Sequence, residues 1–402
     1  EAEKLATSIT NEFPKHQFGW KVLGIVLKQS GRVSESLVAS HTAVQLAPQD
    51  ANAHYNLANT LKELGRLAEA ESSFKQSIAL KADLAEAHSN LGNTLQELGR
   101  LKEAQESYMQ AIALKPDYAE AHSNLGNTLK KAGKLKEAKA SYRQSIALAP
   151  DYAEAHSNLG ITLQELGILD EAEASYKQAI VLKPDLAEAH SNLGFTLQEL
   201  GRLGEAEASF KQSIVLNPDF ADAHYNLANT LKELGRLEEA EASFKQSIAL
   251  QADFIEAHSN LGNTLQELGS LKEAQESYTQ ALALDPESAT AAQNMVKLPL
   301  GQLNLKILDL CEKVFFGQSE SVKNQASYYF SQANLLKHKG LIDQSFDEFC
   351  KANKFRWKEV EEQFEKRDRA YTDNLNRIRQ WTPNLPELVE GRLTKLFLLG
   401  PS

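Results

Sequence analysis

An asparagine returns at the same place in a repeated sequence, and its amide is the most versatile polar group that the repeats share. Residues 87–99 read AHSNLGNTLQELG, and similar stretches recur along the chain. Asn inside a helix costs roughly 0.5 kcal/mol relative to Ala, so its recurrence needs an explanation. One amide carries both a C=O acceptor and an N–H donor, so it could bind the backbone of an extended peptide. These asparagines are Asn56, Asn90, Asn124, Asn158, Asn192, Asn226 and Asn260.

A histidine also recurs, two residues before each of these asparagines. Imidazole can act in catalysis or ligate a metal, but a metal site needs several ligands that converge on one point. The histidines occur once per repeat, so we interpret them as packing residues with one ring nitrogen hydrogen-bonded. The sequence shows no nucleophile–base arrangement, and we predict no catalytic residue, metal or cofactor. The histidines are His54, His88, His122, His156, His190, His224 and His258.

The elements that carry these residues repeat with a period of 34 residues. Each unit contains two amphipathic segments separated by a glycine, which predicts a helix, a turn with a left-handed glycine, and a second helix. A proline usually closes the second segment, because proline cannot continue a helix but can begin the next one. The turn glycines are Gly31, Gly65, Gly99, Gly133, Gly167, Gly201, Gly235 and Gly269.

Small and apolar residues keep fixed places within each unit. In the third unit, Gly92 and Ala104 would let two helix backbones approach closely, and Tyr108 would fill the seam between them. This L-G-x-x-L, A-x-x-x-Y and P pattern is similar to that of the tetratricopeptide repeat family. The resemblance extends over residues 17–288 and implies an all-α, right-handed superhelical solenoid with an extended binding surface.

The same alignment divides the chain into segments. Residues 1–16 match the second helix of a truncated repeat, and 17–288 hold eight units of 34 residues. We expect capping and linker helices over 289–325. A degenerate repeat and a long charged helix are expected over 326–381, and a proline-containing linker with the start of a further domain over 382–402.

A helical wheel separates two faces of the first helix in each unit. In the third unit, the face predicted to pack on other helices carries Ala87, His88, Leu91, Gly92, Thr94, Leu95 and Leu98. The opposite face carries Glu86, Asn90, Asn93 and Glu97. Neighbouring helices lie roughly 8–10 Å apart and an extended chain advances about 3.3 Å per residue, so one asparagine would meet about every third peptide residue.

This row of asparagines is similar to the one that lines the superhelix of O-GlcNAc transferase, where the same repeat position binds substrate backbone. The resemblance implies that an extended protein segment lies in a concave groove and is held by an asparagine ladder. The alternative is that nearly identical repeats copy a neutral asparagine together with everything else.

Other residues on this face would adjust the choice of partner. Three positions after the row, Asn93 and Asn127 give way to Ile161 and Phe195 in the fifth and sixth units. We predict that these two form a small apolar contact for one partner side chain. Acidic residues, among them Glu165 and Glu199, outnumber the lysines beside the row and favour basic or neutral segments.

The overall composition supports a protein partner. A formal net charge of −11 argues against nucleic acid or an anionic membrane. Cys311 and Cys350 are the only cysteines, so no disulfide framework is expected. No apolar run is long enough to cross a bilayer, and we predict a cytoplasmic protein. Self-association through the ends of the stack is a structural alternative.

The final residues, TKLFLLGPS, suggest a second function for the chain. An apolar strand that runs into a glycine turn is how phosphate-binding loops begin. The order of repeats, charged helix, linker and strand is similar to that of bacterial proteins that fuse tetratricopeptide repeats to a sulfotransferase-like P-loop domain. Gly400, Pro401 and Ser402 would then begin the phosphate loop, and the repeats would recruit substrate to an enzyme. A short strand without such a role is the alternative.

Overall fold

A computed structural model describes residues 1–299, 303, 305–317 and 325–356. The chain divides after Leu234 into two compact units, and the described part of the second unit begins at Gly235. The described residues form helices joined by short turns and contain no strand. The predicted all-α repeat fold is therefore confirmed. The first unit contains α1 (Ala2–Glu12), α2 (Gln17–Gln29), α3 (Val33–Leu46), α4 (Ala51–Glu63), α5 (Leu67–Leu80), α6 (Ala85–Glu97), α7 (Leu101–Leu114), α8 (Ala119–Lys131), α9 (Leu135–Leu148), α10 (Ala153–Glu165), α11 (Leu169–Leu182), α12 (Ala187–Glu199), α13 (Leu203–Leu216) and α14 (Ala221–Glu233).

The second unit begins with the same kind of helix pair. A helical segment over 342–356 follows its last complete helix. The charged helix predicted to extend to 381 lies mostly outside the described residues, as does the whole of 382–402 with Gly400, Pro401 and Ser402. The helices of this unit are α15 (Leu237–Leu250), α16 (Ile255–Glu267), α17 (Leu271–Leu284), α18 (Ala289–Met295), α19 (Leu305–Gly317) and α20 (Gln325–His338).

Each repeat is a helical hairpin whose two helices pack closely along their length. In the first unit, α4 packs on α5 and α6 on α7, while α5 also contacts α6 of the following repeat. The first helices of consecutive repeats contact one another from α2 through α14, so they form one continuous layer within this unit. Equivalent positions on these helices therefore lie side by side.

The turn of each hairpin depends on a glycine with a positive φ. Gly99 has φ of 76°, and its N–H donates to the carbonyl of Gln96 at 3.0 Å. The next N–H, of Arg100, donates to the carbonyl of Leu95 at 2.9 Å, which satisfies the last carbonyls of α6. All eight predicted turn glycines have φ between 71° and 81°, so this prediction is confirmed.

A ring packed on bare backbone joins the two helices of a hairpin. Tyr108 is fully buried against Gly92, and a Cβ added to Gly92 would lie 2.7 Å from Cε1 of the ring. The second repeat differs, because Ala58 stands at the glycine position and packs with Phe74. In the first repeat Ser40 replaces the ring and lies beside Gly24.

The predicted division of the first helix into two faces is confirmed with two exceptions: Leu98, and the pair Asn90 and Asn93, which were predicted on the exposed face but are partly buried. In the third repeat the predicted packing residues are buried or partly buried, whereas Glu86 and Glu97 are exposed. Leu98 was predicted to pack but is 36% exposed, because α6 ends at Glu97 and Leu98 already belongs to the turn. No described helix combines the length and the apolar character that crossing a membrane requires.

Two glycine substitutions test the close packing of the hairpin. We expect Gly92→Ala to lower the free energy of unfolding by roughly 1–3 kcal/mol, because the added methyl meets the Tyr108 ring. Gly204→Ala is the matched control: Gly204 lies in α13 with nothing within 4 Å of an added Cβ, so its stability should rise by up to about 1 kcal/mol. Urea unfolding measures both, and equal stabilisation by the two changes would contradict the packing argument.

Candidate functional site

The seven recurrent asparagines all lie on first helices and are partly buried. We call them the asparagine row: Asn56, Asn90, Asn124, Asn158, Asn192, Asn226 and Asn260. A threonine four residues after each asparagine donates its hydroxyl to the backbone carbonyl of that asparagine, at 2.8–3.0 Å. The threonines are Thr60, Thr94, Thr128, Thr162, Thr196, Thr230 and Thr264. Each asparagine of the row therefore has the same local backbone hydrogen bond.

The recurrent histidines have the structural role predicted from the sequence. Each Nε2–H donates to the backbone carbonyl six residues earlier, at 3.0–3.2 Å. His88, for example, bonds to Ala82, and His122 bonds to Pro116. These bonds tie the start of each first helix to the end of the preceding repeat, so one ring nitrogen of every histidine is used inside the fold.

Asn93 and Asn127, three residues after the row, are bonded to the buried tyrosines of their own repeats. The Tyr108 hydroxyl donates to Oδ1 of Asn93 at 2.6 Å, and the Tyr142 hydroxyl donates to Oδ1 of Asn127 at 2.6 Å. In the fifth repeat Ile161 offers no acceptor, and the Tyr176 hydroxyl donates to Oε1 of Gln164 instead, at 3.1 Å. The sequence analysis did not predict that the side-chain carbonyls of Asn93 and Asn127 accept these hydrogen bonds.

The amide of Asn90 is bonded within the fold. Its Nδ2 donates to the hydroxyl of Tyr55 at 2.9 Å and to Oδ1 of Asn59 at 3.0 Å, both in the preceding repeat. The ring of the repeat that contains Asn59 is Phe74, which has no hydroxyl to donate to this carbonyl. Asn260 also has a partner within the chain.

The other five members of the row make no side-chain hydrogen bond to the part of the chain that the structure describes. For Asn124 and Asn158, the neighbouring carbonyls of Asn93 and Asn127 are already taken by tyrosine hydroxyls. For the remaining three, the residue in the place of Asn59 cannot accept a hydrogen bond. Asn56, Asn192 and Asn226 follow Ile25, Ile161 and Phe195, respectively. Five amides therefore keep a free donor and a free acceptor.

Acidic residues flank the row, and some have cationic partners. Lys28 lies 3.2 Å from Glu63, and Lys62 lies 3.4 Å from Glu97. Glu165 and Glu199 are exposed and form no ion pair with any described residue. Their negative charge acts on Tyr176, whose pKa is raised above its usual value first by burial and then by these two carboxylates.

Two cavities open on the layer of first helices. One of about 330 Å³ lies between α2 and α4, and its lining includes Ile25 and Asn56. Another of about 640 Å³ lies between α12 and α14, where the predicted site residues Phe195, Glu199 and Asn226 come together. Ile161 is partly buried and does not line either cavity.

The described residues offer no group of three His, Cys, Asp or Glu side chains that could hold a metal ion. Cys311 is buried and Cys350 is exposed, and neither forms a disulfide. Burial raises the pKa of the Cys311 thiol to about 12, so this sulfur is a poor nucleophile.

The repeat pattern matches known families. The family described as Cilia and flagella-associated protein 70 C-terminal domain matches residues 84–297, more than half of the chain, and the family described as Tetratricopeptide repeat matches residues 50–117. The chain belongs to the tetratricopeptide repeat family. A search of curated proteins gives no match to it.

Several solved structures resemble this tetratricopeptide repeat chain. The crystal structure of MamA is 25% identical over 41% of this chain and 96% of its own, with a TM-score of 0.39. That of YrrB, described as a TPR protein with an unusual peptide-binding site, is 25% identical over 46% of this chain and 95% of its own, with a TM-score of 0.40. PilF of Pseudomonas aeruginosa is 20% identical over 53% of this chain and 97% of its own, with a TM-score of 0.48.

The buried tyrosines predict a stability that depends on alkaline pH. Burial raises the pKa of Tyr108, Tyr142, Tyr176 and Tyr278 in the folded state above the unfolded value of about 10. Their contribution is therefore complete below about pH 10 and is lost as the pH rises further. We expect the urea midpoint to fall steeply as the pH rises above about 10.

A variant with all four tyrosines changed to phenylalanine is the control. Phenylalanine already fills this place as Phe74, Phe210 and Phe244, so the hairpins can accommodate it. The variant should show a shallower fall over the same pH range. An unchanged slope would mean that the buried hydroxyls do not determine alkaline stability.

Proposed function

We propose that this chain is a protein-interaction scaffold that binds an extended peptide segment along the layer of first helices. One observation carries the proposal: five amides of the asparagine row are partly buried, evenly spaced and without a side-chain partner among the described residues. A half-buried amide that lacks a partner is stabilised when a ligand supplies one. A peptide backbone offers N–H and C=O groups at regular intervals and can serve successive rungs of this ladder.

The charge around the row favours a basic segment over a neutral one. Glu165 and Glu199 have no cationic partner among the described residues, whereas Glu63 and Glu97 are partly neutralised by lysines. The net charge of −11 adds a general attraction for cationic partners. Affinity should therefore fall with rising salt, and more steeply for basic peptides than for neutral ones. A cytoplasmic location forms part of the same proposal.

The second candidate is the substrate-recruiting part of a larger sulfotransferase-like enzyme. It depends on Gly400, Pro401 and Ser402, which lie outside the described residues, and on the sequence that follows them. Arg-Ser-Gly followed by Lys or Thr after Ser402 would support this candidate, and a stop codon there would end it. In this case the asparagine row would hold a segment of the enzyme's protein substrate.

Removing three unpartnered amides tests the proposed ladder. We expect the combined variant Asn124→Ala, Asn158→Ala and Asn192→Ala to weaken binding of unstructured basic peptides by at least about tenfold, because each lost hydrogen bond contributes roughly 0.5–1.5 kcal/mol. Fluorescence anisotropy with labelled peptides measures the change. Asn90→Ala is the matched control, since its amide is already bonded to Tyr55 and Asn59. Unchanged affinity in the combined variant would show that the asparagine row does not contribute to peptide binding.

A substitution in the hairpin seam should change the number of available amides without touching the row. Phe74→Tyr places a hydroxyl within reach of Asn59, which should displace Asn90 from that carbonyl and leave its amide bonded to Tyr55 alone, so peptide affinity should rise by up to a few fold. Phe210→Tyr is the matched control, because Phe195 cannot accept its hydroxyl and Gln198 stands where Gln164 receives Tyr176. Peptide affinity should then stay the same. A gain in both variants, or in neither, would contradict the proposed exchange of partners.

A further inference from the structure

The cavity between α12 and α14 has an aromatic wall and a carboxylate rim. Phe195 is 38% exposed although most repeats carry a polar residue at its position, and Tyr225 lies on the opposite side. Glu199 and Glu233 are exposed at the rim, and Nε2 of Gln198 donates to Oε1 of Glu233 at 2.7 Å. The volume of about 640 Å³ lies within the range of small-ligand sites.

The charge of this cavity is unbalanced. Glu199 forms no ion pair or hydrogen bond with a described residue, and Glu233 is bonded to a neutral amide of the first unit. Lys232, the only cation of the lining, is engaged with another group of the chain. Two carboxylates beside one lysine leave a net negative charge close to two aromatic rings.

In the equivalent cavity between α2 and α4, the negative charge is balanced by a lysine. There Ile25 replaces Phe195, Lys28 replaces Gln198 and Gln29 replaces Glu199. Lys28 pairs with Glu63 at 3.2 Å, and the cavity measures only about 330 Å³. Both cavities lie beside nearly identical helices, α4 and α14, and the difference in charge comes from the earlier helix, where Lys28 and Gln29 stand in place of Gln198 and Glu199.

We propose that the α12–α14 cavity binds an arginine side chain of the partner segment and so fixes the register of that segment on the ladder. This inference rests on the proposed function, because the arginine is carried by a peptide held on the asparagine row. A guanidinium is planar, stacks on aromatic rings and offers five N–H donors to carboxylates and amides. It matches Phe195 and Tyr225 on its faces and Glu199 and Glu233 on its edge.

Other side chains satisfy this cavity less well. An ammonium group offers a point charge that does not stack as a plane on Phe195. A neutral aromatic side chain would cover two carboxylates without supplying a donor, which is unfavourable. Lysine should therefore bind between arginine and uncharged side chains in affinity.

The test compares short unstructured peptides that are identical except at one central residue, which is arginine, lysine or citrulline. Citrulline keeps the shape of arginine but carries no charge. The full chain should bind the arginine peptide about tenfold more tightly than the citrulline peptide, as measured by calorimetry. The combined change Phe195→Ile, Gln198→Lys and Glu199→Gln installs the residues of the balanced cavity and should abolish this preference. Glu199→Gln alone should reduce it.

The ladder variant Asn124→Ala, Asn158→Ala and Asn192→Ala separates this inference from the function on which it rests. It should weaken the arginine and citrulline peptides by the same factor and leave their ratio unchanged. Equal binding of both peptides to the unmodified chain would overturn the arginine site and leave the ladder standing. A preference that survives the three-residue change would also overturn the site. Failure of every peptide to bind would overturn the scaffold proposal and the arginine site together.

Discussion

The contact between an aromatic ring and a glycine backbone determines how each hairpin is built. Gly92 has no side chain, so the ring of Tyr108 lies where a Cβ would otherwise be, and both helices approach closely around it. The ring is fully buried, and its position is therefore fixed by packing. Its hydroxyl is thereby held beside the first helix, where it donates to the amide carbonyl of Asn93.

That hydroxyl connects the interior of the hairpin to the proposed binding surface. Where it is present, as in Tyr108 and Tyr142, it donates to the carbonyl that lies beside the next asparagine of the row. Where it is absent, as in Phe74, the carbonyl of Asn59 accepts Asn90, which also donates to Tyr55. The bonding of a surface amide therefore differs with the side chains of the preceding repeat.

Much of the fold could be predicted because the same residue types recur at the same positions in many repeats. The left-handed glycines, the packing of Tyr108 on Gly92 and the hydrogen-bonded histidines all follow from residue types at fixed spacing. Leu98 was placed wrongly, since a helical wheel does not show where the helix stops. Helix ends depend on which carbonyls the turn satisfies, and that is a property of several residues together.

The status of each amide in the row was harder to predict, because it depends on a pair of residues in a different repeat. Asn90 and Asn124 sit in almost identical helices, and only the first is bonded to its neighbour. The deciding signal was present in the sequence as a choice between Tyr and Phe near 15 residues after Asn59 or Asn93. This signal can be interpreted only when the order of the repeats is known, since the hydroxyl, the carbonyl and the amide come from adjacent repeats.

This dependence on the preceding repeat gives gene rearrangement a direct route to new specificity. Asn90 donates to two side chains of the preceding repeat, Tyr55 and Asn59. If recombination placed the same repeat after one that contains Tyr142 and Asn127, the amide of Asn90 would become available without any point mutation. Shuffling of whole repeats can therefore change which donors and acceptors are exposed, while the interior packing of each repeat stays the same.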